Sequence, residues 1–108
     1  MTKLISKKCV PCEGGAKSLR EEDALRYLRD IPGGVLTHGK IAKDFSFKNF
    51  KEAMAFTNKV GDVAEKENHH PDILIHGWNK VRLELSTHAI GGLSENDFIL
   101  AAKINAAT

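Results

Sequence analysis

Cysteine is scarce, with only Cys9 and Cys12 in 108 residues. Two cysteines cannot staple a small domain, which excludes a disulfide-built scaffold. A dominant charge is missing too. Lys and Arg number 16 against 14 Asp and Glu, for a formal net charge of +2. That balance gives no electrostatic footprint for nucleic acid or an acidic membrane surface. No apolar run approaches the ~20 residues of a membrane span. Met1–Lys8 has no apolar stretch of the signal-peptide kind, so the expected location is the cytoplasm. Internal repeats and low-complexity tracts are absent.

What is present suits a soluble domain. Hydrophobic residues make up 42% and charged residues 28%, enough of the first for a core and of the second for its surface. The length fits one domain. Residues 1–17 are basic and carry Pro11, Gly14 and Gly15, so they read as a leader; residues 18–108 read as the domain.

Periodicity then sets the elements. Ser18 and Glu21 are spaced as a capping box, and Ala24, Leu25, Leu28 and Ile31 follow at helical spacing. Pro32, Gly33 and Gly34 end that helix. Val35–Thr37 and Ile41–Phe47 read as two strands around His38-Gly39. Asn49 with Glu52 starts a long helix whose stripe runs through Phe50, Ala53, Met54, Phe56, Val60, Val63 and Ala64. Gly61 either weakens it by about 1 kcal/mol or marks a close packing contact. Pro71 requires it to stop beforehand. Ile73–His76 and Lys80–Thr87 read as a second strand pair around Gly77-Trp78-Asn79. Val81, Leu83, Leu85 and Thr87 share one face; Arg82, Glu84, Ser86 and His88 share the other. Ser94 with Asp97 caps a last helix carrying Phe98, Ile99, Ala102 and Ile104. The order is α-β-β-α-β-β-α. The expected fold is α+β: a four-stranded antiparallel sheet with three helices packed on one face.

Chemistry concentrates in histidine. His69 and His70 sit at or just past a helix end, and His88 ends a strand. Imidazole titrates near neutral pH, which suits proton transfer, and a helix C-terminus favours its charged form. Two other readings stand beside this one. Histidine near a helix C-terminus is also an ordinary cap. Three histidines can bind zinc, although adjacent residues lack the one-turn spacing of H-E-x-x-H. Cys9-Val10-Pro11-Cys12 has redox and zinc precedents, but neither a βαβ context nor two further ligands is evident nearby.

Longer motifs are more specific. The segments E-K-E-N-H-H-P-D, W-N-K-V-R-L-E-L-S-T-H and G-G-L-S-E-N-D-F, preceded by D-F-S-F-K-N-F-K-E-A-M-A-F-T, resemble the pterin-4a-carbinolamine dehydratase family. The resemblance spans Ser18 to Ile104. It implies dehydration of a 4a-hydroxytetrahydropterin to the quinonoid dihydropterin and water, with no metal and no organic cofactor. It implies a homodimer or homotetramer; the charge balance and the lack of a long apolar run already leave no nucleic-acid or membrane partner expected. The family's three active-site histidines fall on His69, His70 and His88. By resemblance His69 and His88 are candidate acids, and His70 is the base or positioning group. The family's glutamate falls on Glu65, four residues before His69, to orient a histidine or hold the pterin ring nitrogens. Asn68 and Trp78 complete the candidate pterin contacts; Trp78 either stacks on the ring or packs beside its turn. His38 and His76 lie outside the matched motifs.

The sequence departs from the family's pattern twice. Many relatives carry an acidic residue where this chain has Asn68, and an amide cannot stabilise an imidazolium by charge. Pro71 to Trp78 is one residue longer than in animal members. Those animal members also dimerise a transcription factor. The alternative function is therefore an interaction protein on the same fold.

Overall fold

Residues 19–87 and 91–107 are described by the computed structural model. Residues 1–17, expected as a leader and holding both cysteines, lie outside the described residues, as do Ser18 and His88. The elements follow the expected order: α1 Glu21–Leu28, β1 Val35–Thr37, β2 Lys40–Ser46, α2 Phe50–Glu67, β3 Asp72–His76, β4 Lys80–Leu85 and α3 Glu95–Ala106. All strand pairs are antiparallel and the sheet order is β1-β2-β4-β3. Register sets Ile41 opposite Leu85, Lys43 opposite Leu83 and Phe45 opposite Val81. Ile73 and Ile75 then flank Leu83 and Val81 from the other side.

That face meets the helices. Ile41, Val81, Leu83 and Leu85 join Phe56 and Val60 of α2 and Phe98, Ile99, Leu100 and Ile104 of α3 in one buried cluster. Phe56 also packs its ring against Phe45 and Phe47. The opposite sheet face carries charge. Arg82 bonds Asp44 and Glu84 at 3.0 Å each, and Lys40 lies 3.6 Å from Glu84. The Arg82 guanidinium holds the Glu84 carboxyl below the usual carboxylate range.

Caps explain the long helix. The Asn49 side chain accepts the Glu52 N–H at 2.8 Å, and Glu52 reaches back to the Lys48 N–H. The start of α1 differs from the expected capping box. Arg20 is the cap residue, with no side-chain cap bond, and three acidic residues in the first turn complement the helix dipole instead. The same helix stops at Leu28. Asp30 and Ile31 continue in tighter i→i−3 turns, and Ile31 is buried there rather than on a helical stripe. Leu25 is half-exposed, as are Phe50 and Met54 of α2, so the apolar stripes are wider than the core they meet.

Gly61 has open space around it: a Cβ there would meet no atom within 4 Å. The close-contact reading is therefore set aside, and the helix-propensity penalty remains. Gly61→Ala is expected to stabilise the protein by about 1 kcal/mol, raising Tm by about 4–8 °C in a thermal melt.

Candidate functional site

The site begins with how α2 ends. Asn68 takes the left-handed conformation, φ 54° and ψ 41°. Its N–H bonds the Glu65 carbonyl at 3.3 Å, and the His69 N–H bonds the Ala64 carbonyl at 3.1 Å. These two bonds form a Schellman motif. Asparagine tolerates this conformation, which gives Asn68 a backbone task independent of any ligand. Pro71 then holds His70 out of the helical region. The two histidines therefore leave the helix on non-helical backbone and find different partners.

His69 turns inward. Its Nε2 lies 2.6 Å from Asp97 Oδ1, with the imidazole only 11% exposed and the Asp97 side chain fully buried. Asp97 stands in the first turn of α3, where it also caps Ser94. Its second oxygen, Oδ2, accepts the Ser94 N–H and the Thr87 hydroxyl, each at 2.9 Å. Thr87 lies just past β4, joined to Gly92 by an isolated bridge instead of extending the strand.

His70 turns outward. Its Nε2 donates to Glu65 Oε2 at 2.6 Å, and both side chains are exposed. Four residues separate Glu65 from His69, a spacing that shares a helix face only where the helix persists. The helix ends at Glu67, so Glu65 meets His70 instead. Glu67 is buried and takes the Lys103 ammonium at 2.9 Å, a second tie between the end of α2 and α3.

Trp78 stands apart from this cluster. It occupies the β3–β4 turn with φ 58° and is 62% exposed. His69 and His70 precede the first residue of β3, and Trp78 follows the last. Five strand residues span roughly 16 Å, so the indole and the histidines lie at opposite ends of the hairpin. The β1–β2 turn, by contrast, shares the histidines' end of the sheet, since Thr37 pairs with Lys40 and Ile41 with Leu85. A cavity of about 420 Å³ opens there, lined by Glu21, Leu36, Thr37, His38 and Leu93 among others. That volume falls within the range of small-molecule pockets.

Among the described residues no group of three or more His, Cys, Asp or Glu is arranged to hold a metal ion. No described helix is long and apolar enough to cross a membrane. Asp97 is the residue that sequence reading missed as part of the site. Its capping role accounted for it locally, and its imidazole partner lies 28 positions away.

Fold and site together define a small α+β protein with two imidazole–carboxylate pairs at one helix end. Residues 17–107 match the family described as Pterin 4 alpha carbinolamine dehydratase. A Nitrosomonas eutropha protein bearing that dehydratase's name is 50% identical over 94% of this chain and 90% of its own. The mitochondrial pterin-4-alpha-carbinolamine dehydratase 2 of Arabidopsis thaliana is 48% identical over 94% of this chain and 57% of its own length. The crystal structure of a transcriptional coactivator/pterin dehydratase from Brucella melitensis superposes with a TM-score of 0.78 at 33% identity. It covers 83% of this chain and 97% of that one. A pterin dehydratase-like protein described as a RuBisCO assembly factor shares the fold at 23% identity and a TM-score of 0.56. The chain belongs to the pterin-4a-carbinolamine dehydratase family, and with it to the hydro-lyases.

Proposed function

We propose that this chain dehydrates a 4a-hydroxytetrahydropterin by histidine acid–base catalysis. The pairing of His69 with a fully buried Asp97 supports this reading most directly. A ring that only capped a helix would need no buried carboxylate behind it. In the reaction the C4a–O bond breaks and the hydroxide takes a proton to leave as water. The N5 proton goes to a base as the C4a=N5 double bond forms. Hydroxide is a poor leaving group, so a positioned acid and base can accelerate the step by about 10²–10⁴-fold.

Within this proposal His69 is an acid, oriented by Asp97, whose charge complements a doubly protonated ring. His70 takes the N5 proton, with Glu65 holding its far nitrogen. His88 is the second acid, assigned from its place in the S-T-H motif. Each role needs only a side chain that carries protons, so no metal or organic cofactor enters the scheme. The separation of Trp78 argues against its stacking on a pterin held at this chain's own histidines. The test is direct. Purified protein is added to a chemically prepared 4a-hydroxytetrahydropterin and the quinonoid product is followed by absorbance. The expected result is a faster rise that a chelator does not alter. Folded protein that leaves the spontaneous rate unchanged would sink the proposal.

We also place the protein in the cytoplasm as a homodimer or homotetramer. Sheet edges β1 and β3 leave backbone groups open in one chain. Exposed Phe50 and Met54 on α2, and Ile73 and Leu74 on β3, supply apolar surface for self-association. Light scattering at micromolar concentration should give two or four times the chain mass; the mass of one chain would overturn this.

A further inference from the structure

We infer that Thr87 is a positioning residue for His69, acting through Asp97 to fix which imidazole nitrogen exchanges the proton. Thr87 belongs to a buried network in which every hydrogen can be assigned. Thr87 is 2% exposed, and its backbone is pinned to Gly92 by the 2.8 Å bond from its N–H. Its hydroxyl lies 2.9 Å from Asp97 Oδ2 and 2.8 Å from Ser94 Oγ. A carboxylate only accepts, so the single Thr87 hydrogen goes to Asp97. Ser94 Oγ must then donate to the Thr87 oxygen. Asp97 Oδ2 now holds two donors, the Thr87 hydroxyl and the Ser94 N–H. Oδ1 is left facing His69 Nε2 at 2.6 Å, and it too can only accept.

Nε2 therefore carries the hydrogen, and the neutral ring has its lone pair on Nδ1. Nδ1 is the atom left to give or take a proton. Without the Thr87 hydroxyl, Asp97 Oδ2 loses one of its two holds. The carboxylate can then turn its oxygens out of line with Nε2, and without an aligned acceptor there the tautomer is no longer dictated. The sequence pattern does not ask for a hydroxyl here. Thr87 continues the face of Val81, Leu83 and Leu85, where valine would serve as well for packing. Valine is thus the same-shaped replacement that isolates the hydroxyl.

The experiment is nitrogen NMR of the full chain with ¹⁵N-labelled histidine, at a pH where the rings are neutral. Wild type is expected to show His69 protonated on Nε2 alone. Thr87→Val should give mixed tautomers at His69 with the His70 signals unmoved, and Thr87→Ser should restore the wild-type pattern. The kinetic arm rests on the dehydratase reading. There kcat should fall about ten-fold in Thr87→Val, on the order of one hydrogen bond to a charged group, with KM little changed. Thr87→Ser should recover it. The ring signals decide the inference even if no pterin is turned over. Should Thr87→Val fail to fold, Thr87→Ala reports on the same hydroxyl. Wild-type His69 protonated on Nδ1, or a folded variant without the hydroxyl and with unchanged ring signals, would overturn the inference.

Discussion

His69→Ala is expected to lose both activity and stability, and His70→Ala activity alone. The difference follows from burial. Removing the His69 ring leaves Asp97 Oδ1 in the core without that donor. A buried acceptor stripped of its partner costs about 1–3 kcal/mol, equivalent to a Tm loss of about 4–8 °C for each of those. His70 and Glu65 are both exposed at their side chains, and such a pair contributes no more than about 1 kcal/mol. Turnover should fall in each by roughly 10²–10⁴-fold, the scale of a lost acid or base. His88→Ala should fall as well. If His69 and His88 can both protonate the leaving hydroxyl, the double variant should lose more than the two single losses combined. His76→Ala, on exposed β3, serves as the control and should turn over normally. The measurements are kcat and thermal melts on the same preparations. Full activity in all three single variants, each folded, would make the cluster structural. Equal melting of His69→Ala and wild type would show that the Asp97 contact carries no stability.

The fold was legible because its signals are local. Alternation in β4, the Asn49 cap and the stop before Pro71 each depend on neighbours in sequence, and each element lies where they place it. Boundaries slipped where a backbone angle decided them. Asn68 in the left-handed region ends α2 and hands Glu65 to His70, and no periodicity encodes that choice. The site was half legible. His69 and His70 stand out as a pair, but their opposite environments do not, because adjacent residues on irregular backbone diverge. Asp97 was hidden behind a sufficient local explanation as a cap. Thr87 was hidden behind β-strand alternation. Glu67 was hidden in a charged run, E-K-E-N, where a solvated face is the ordinary expectation and burial depends on α3.

The ion pair of that last residue carries a large expected stability effect. Lys103→Met should destabilise the protein by about 3 kcal/mol. Glu67 is 4% exposed and Lys103 19%, with 2.9 Å between carboxylate and ammonium. Breaking a buried ion pair from one side costs about 3–5 kcal/mol, because the other charge stays where water cannot reach it; the residual exposure of Lys103 places this pair at the low end. At about 4–8 °C per kcal/mol, Tm should drop by roughly 12 °C or more. Replacing both partners removes the buried charge as well, so Glu67→Leu with Lys103→Met should regain part of that loss. The pair lies two residues before His69, so it ties down the helix end from which the imidazole reaches Asp97. At a temperature where Lys103→Met is still folded, its kcat should therefore fall below that of the double variant. A carboxylate that has lost the Lys103 ammonium holds the helix end less firmly than the apolar pair does. Melting within about 2 °C of wild type, well under the effect of one kcal/mol, would show that the ion pair adds little to docking α2 on α3.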